Sequence, residues 1–268
     1  MKHLIKSIFL LSLFILTGAC TSGPLTDQFL ADLSASGGVL EVKAMQHLHD
    51  GGEVSMTPEG SKIFTNDLGY EVELKEAFLS LHALHLISQG SDPLCPGGMD
   101  QTIPLAAKQD LLGEDLVLHH MGSALIPMVF FCEFELVLGS EVHAEMKFHE
   151  GEDHGDAPNE PFHLAGTWTM GAESGDFSMT GAKPVSIHGI FKTEEHGEIL
   201  EHPLHFHDGE TEASVVFGTN YDEIFNGVDF KMQSPEEQLE AVYHNLPEAI
   251  HQDVGDHHGS GEEEHEHP

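Results

Sequence analysis

Apolar and polar residues alternate with a period of two through many short stretches of the chain, the mark of strands with one face buried. Residues 39–49 put Leu40, Val42, Ala44 and Leu48 on one side, with Glu41, Lys43, His47 and His49 on the other. Residues 70–87 begin the same way, but Leu79, Leu81 and Ala83 fall out of step with Val72 and Leu74. That predicts a β-bulge near Ala77 or a break into two strands. A helix is the alternative, with His82 and His85 at i, i+3 on one face. The cleanest alternation is over 141–149, where Val142, Ala144, Met146 and Phe148 oppose His143, Glu145, Lys147 and His149. The apolar run Met128-Val129-Phe130-Phe131-Cys132 predicts a buried strand within 127–138. Further strands are expected over 115–121, 163–170, 175–180 and 183–191, with strand or short helix over 105–112. Residues 204–207 and 212–217 flank Asp208-Gly209, a tight-turn signal, and read as a hairpin.

Helical spacing is clear near the end of the chain. Ser234-Pro235-Glu236-Glu237 is a capping box with Pro at the first helical position, followed by the apolar stripe Leu239, Val242, Tyr243 and Leu246. Pro247 should end or restart that helix. Short strands punctuated by Gly and Pro, with no βαβ rhythm, predict a mostly β fold: an antiparallel β-sandwich or open barrel with one C-terminal helix. The expected organisation is a targeting segment over 1–20, a tether over 21–38, the β-domain over 39–233, the helical segment over 234–252, and a disordered acidic, His-rich tail over 253–268.

The targeting segment has a short basic start, Lys2 and Lys6, then an apolar run over 8–16 that is too short to span a membrane. The next residues, Thr17-Gly18-Ala19-Cys20, resemble the lipobox of bacterial lipoproteins, with Thr17 standing where an aliphatic residue is usual. The resemblance implies lipidation at Cys20, export, and a lipid anchor that makes the membrane of the cell envelope a partner. In an exported chain the remaining Cys95 and Cys132 most simply form one disulfide; free thiols in metal or redox roles are the alternative.

Charge narrows the function. The chain has 46 Asp and Glu against 10 Lys and Arg, and every one of the basic residues is Lys. That composition argues against nucleic acid, and against sites that need a bidentate guanidinium. It suits cations. There are also 22 histidines in 268 residues. Two stretches stand out: His47-Leu48-His49-Asp50-Gly51-Gly52-Glu53 and its twin His205-Phe206-His207-Asp208-Gly209-Glu210. On a strand, residues i and i+2 share a face about 6–7 Å apart, so each His-x-His offers two imidazoles side by side, and two pairs could complete one four-coordinate site.

Imidazole suits Zn²⁺, Cu²⁺ and Ni²⁺, and neighbouring carboxylates can ligate or orient it. The candidate ligands are therefore His47, His49, His205 and His207, then His119 with His120, His143 with His149, and His82 with His85. Histidines of the loops at His154 and His196 and of the tail would bind weakly and exchange fast. His163 and His188 read as ordinary satisfied histidines. Thioether favours Cu(I), and Met45 shares the predicted face of His47 and His49, while Met121 follows His119-His120. Met128 and Met146 read as core filler, and Trp168 as a core residue.

Residues 70–87 and the later Phe225-Asn226-Gly227-Val228-Asp229-Phe230 resemble secreted β-sandwich lipoproteins linked to copper handling, such as the methanobactin-associated periplasmic copper-binding proteins. That resemblance implies a fold class and a metal theme, and carries over no ligand. The expected function is a non-enzymatic envelope lipoprotein that binds zinc or copper for buffering, sensing or hand-over to a metal transporter. A structural lipoprotein with an acidic surface and a metal-dependent hydrolase are the alternatives, although no nucleophile elbow, His-Glu-x-x-His or phosphate loop occurs.

Overall fold

A 17-residue strand, β4, organises the architecture. The structure, a computed structural model, describes residues 37–49, 54–88, 95, 100–139, 160–195, 198–206 and 210–253. The strands are β1 (Gly37–His47), β2 (Ser55–Met56), β3 (Lys62–Thr65), β4 (Glu71–Ile87), β5 (Gln101–Asp110), β6 (His119–Pro127) and β7 (Glu133–Leu138). They continue as β8 (Phe162–Met170), β9 (Glu173–Thr180), β10 (Val185–Ile190), β11 (Lys192–Glu195), β12 (Glu198–Glu201), β13 (Glu212–Asn220) and β14 (Ile250–Asp253), with helix α1 (Pro235–Ala249) between the last two.

One sheet has the order β14-β13-β1-β6; in the second, β10-β7-β4-β3-β2 form the path, with β5 and β8 also paired to β4 and β9 to β8; β11 and β12 pair as a separate two-stranded sheet. The fold is mostly β and mostly antiparallel, as the alternation predicts, with β1 and β13 running parallel. β4 is one continuous strand, not a helix. Its register slips against β8 between Leu74 and Glu76, and against β5 and β7 between Leu81 and Ala83. The two irregularities bracket Ala77, where a single bulge is expected, and let both halves of β4 bury Val72, Leu74, Leu79, Leu81 and Leu84. Leu40, Val42 and Ala44 of β1 join these residues in one hydrophobic core, with Phe217, Tyr221, Phe225 and Phe230.

Several local expectations are corrected. β13 pairs with β1 and β14, so residues 204–206 do not form a hairpin with it. The reason is burial: Val215, Val216 and Phe217 are consecutive and all buried, which suits a central strand, while Leu204 makes an isolated bridge to Phe131. Residues 115–118 are not strand. Leu116 sits at φ 62, gives its N–H to the Gln46 carbonyl at 3.0 Å, and leaves Leu116, Val117 and Leu118 exposed. Met128 is not core filler but 41% exposed, because the chain turns at 128–130, with Val129 N–H bonded to the Pro127 carbonyl, before β7 begins. Residues 101–110 are strand, and α1 runs two residues past Pro247, which near a C-terminus forfeits only the bond to the Tyr243 carbonyl. Trp168 packs on the core from a half-buried position, stacked on Phe230 at 6.1 Å. Cys95 and Cys132 form a disulfide pair with Cα atoms 6.2 Å apart. The segments 1–36, 140–159 and 254–268, and with them Cys20, His143, His149, His154 and the tail, lie outside the described residues, as do His196 and His207.

Candidate metal centre

Strand β1 carries His47 to the outer face of its sheet, because Leu40, Val42 and Ala44 take the core face. The strand ends at His47, so the alternation that would align His49 with it does not continue. His49 turns away to Glu223, Nδ1 to Oε1 2.9 Å, and its N–H donates to Asp222 Oδ1 at 2.9 Å. The partner of His47 is instead His251 on β14, a residue the sequence reading passed over. Their ring centroids are 5.6 Å apart and nearly perpendicular.

Gly218 makes this approach possible. It sits on β13 between the two strands, paired with Met45 on β1 and His251 on β14. A Cβ at that position would lie 2.9 Å from His251 Nε2 and 3.1 Å from His47 Nε2, so both rings turn the same nitrogen onto one spot over the glycine. His47 Nδ1 is 3.0 Å from the Leu48 carbonyl oxygen. A carbonyl only accepts, so Nδ1 is the donor, and in the neutral ring this places the lone pair on Nε2, the tautomer a metal ligand needs. His251 also meets the backbone of Ala249. Burial pushes its pKa below the ordinary histidine value and His47 adds to that, against the pull of Asp253 and Glu223, a shift toward the neutral imidazole. Two imidazoles holding one ion through nitrogens ~2 Å away have centroids roughly 5–6 Å apart, which this pair matches.

Oxygen atoms stand beside the pair. Asn220 lies opposite His47 in the register, is 7% exposed, gives its Nδ2–H to Glu223 Oε2 at 3.0 Å, and leaves Oδ1 buried with no hydrogen-bond partner in the protein. The end of β13 is anchored from below. Tyr221 N–H reaches the His47 carbonyl at 3.3 Å, and its hydroxyl donates to Asp115 at 2.9 Å, which also pairs with the fully buried Lys62 ammonium. His251 also borders a cavity of about 190 Å³ lined by His188 and Glu248.

The other expected ligands are placed differently. His205 stacks on His202 at 5.1 Å and meets the Phe130 ring at a tilt, centroids 4.8 Å apart, beside a cavity of about 180 Å³. Nδ1 of His202 and of His205 each lie 3.0 Å from the same Pro203 carbonyl. The next residue, Phe206, packs on Gly38, at the opposite end of β1 from His47. Nine residues of strand separate those ends by about 30 Å, so His47 and His205 do not share an ion. His119 and His120 are exposed at the start of β6, opposite Ala44 and Lys43. His82 is exposed at the β4 slip, and His85 Nδ1 is 2.8 Å from Thr102 Oγ1. His163 is satisfied by Thr180 and Glu76, and His188 faces Glu135, the ordinary roles expected of them. Among the described residues, no three or more His, Cys, Asp or Glu side chains gather into a ready-made cage. Set against known proteins, the chain matches no family model, no curated protein sequence and no solved structure.

Proposed function

We propose that the protein is a lipid-anchored, non-enzymatic β-sandwich of the cell envelope that binds a transition-metal ion, zinc or copper, for buffering, sensing or hand-over to a metal transporter. The observation that carries this reading is the convergence of His47 Nε2 and His251 Nε2 over Gly218, with the His47 ring oriented through Nδ1 by the Leu48 carbonyl. Sequence chemistry supports the same theme: 22 histidines and a formal charge of -36 favour cations over anionic partners.

The test is calorimetric titration of the full chain with Zn²⁺ at pH 7. The expected result is a tight class of sites that disappears in His47→Gln/His251→Gln, above a weaker background from the remaining histidines. Gly218→Ala should weaken the tight class by about tenfold or more, since its Cβ would crowd both Nε2 atoms. A wild-type chain that takes up no Zn²⁺ or copper at micromolar metal overturns the reading.

A further inference from the structure

The metal theme leaves open which ion the pair is built for, and the neighbouring rung of the sheet bears on that. Met45, Gly218 and His251 are paired across β1, β13 and β14. Residues paired this way present their side chains to one face, and His47, two residues after Met45, shares it. Gly218 contributes no side chain, so Met45 and the two histidines flank the same bare position on that face.

Met45 is 2% exposed, as buried as the core residues of β1, yet it does not belong to the hydrophobic core that Leu40, Val42 and Ala44 join. A long apolar side chain is thus buried on the outer face of a sheet, beside two histidines whose Nε2 atoms converge.

We propose that Met45 supplies a thioether as the third donor of the His47–His251 site, which makes it a site for a soft monovalent ion, Cu(I). The inference rests on the metal-binding reading above. Thioether sulfur is a weak ligand for hard or borderline ions and a good one for Cu(I), which is content with few ligands. Two imidazoles and one thioether therefore satisfy Cu(I) without any carboxylate. Zn²⁺ would instead recruit oxygen to fill a tetrahedron, with Asn220 Oδ1 the atom at hand.

The experiment uses the full chain, kept anaerobic, with one equivalent of Cu(I), in wild type, Met45→Leu and His251→Gln. Leu keeps the apolar volume of Met45 and so the packing; circular dichroism and the melting temperature check that each variant is folded. Copper-edge X-ray absorption should show a sulfur scatterer in wild type that is missing in Met45→Leu. Competition against a chromophoric Cu(I) chelator should show Met45→Leu weakened by about tenfold or more, while its Zn²⁺ affinity stays within about twofold of wild type. His251→Gln should weaken both ions. Wild type without a sulfur scatterer, or a Met45→Leu chain that holds Cu(I) as tightly as wild type, overturns the thioether assignment and leaves the histidine pair standing. A wild-type chain that takes up neither Cu(I) nor Zn²⁺ overturns the metal-binding reading together with this one.

Discussion

Single residues do their work here through what surrounds them. Gly218 matters because a side chain would occupy the point on which His47 and His251 converge. Asp229 shows the same dependence in its titration. The Tyr70 hydroxyl donates to it at 2.6 Å, and the N–H groups of Met232 and Lys231 add bonds at 3.0 and 3.1 Å. The Tyr70 bond first, then these two, hold the carboxyl below the usual aspartate range. A carboxyl whose pKa falls on folding contributes its stability above the unfolded value of about 3.9, and loses it as the pH drops through the folded value. The lead of wild type over Asp229→Asn should therefore be full at pH 7 and shrink below about pH 4, which urea midpoints measured across that range will show. A lead that stays constant with pH would contradict the assignment.

Elements extend the argument, because α1 delivers the strand that carries His251. Its start is secured by Ser234, whose Oγ accepts from Glu237 N–H at 3.3 Å while Glu237 Oε2 accepts from Ser234 N–H at 2.8 Å. Val242, Leu246 and Ala249 then bury one face of the helix, and the chain enters β14 at Ile250 with no intervening loop. Ser234→Ala should cost about 1 kcal/mol, read as a lower urea midpoint with an unchanged m-value. The capping box and apolar stripe made this helix legible in the sequence. β14 was not legible: four residues are too few for a periodic pattern, and its strand character comes from pairing with β13. The missed histidine pair follows from that, since His251 has no motif of its own and gains its neighbour only when β14 is laid beside β13. The only sequence signal was His251 and Asp253 at i, i+2 just after a proline-marked helix end.

At the scale of the whole molecule, one covalent tie spans the second sheet. Cys95 and Cys132 are 37 residues apart, and closing a loop of that length restrains the unfolded chain by about 4 kcal/mol. Cys95→Ser/Cys132→Ser should lower stability by roughly that amount in urea unfolding. Because the pair is remote in sequence from His47 and His251, Zn²⁺ affinity measured under folding conditions should stay unchanged. Alternation with a period of two, the turn residues, the capping box and the charge balance belong to the sequence itself, because each is set by local geometry or by composition. They suffice for a mostly β fold, one C-terminal helix, the disulfide partners and a surface chemistry suited to cations. Which histidines meet is decided by strand order alone. His47 and His49 look paired along the chain, yet the end of β1 sends one to Gly218 and the other to Glu223. The twin stretch around His205 lies at the far end of β1, while His251, more than two hundred residues from His47 in sequence, is brought beside it by β13, on the rung of Met45 and Gly218. Contacts across a sheet depend on register between segments distant in sequence, and no local pattern in either segment records it.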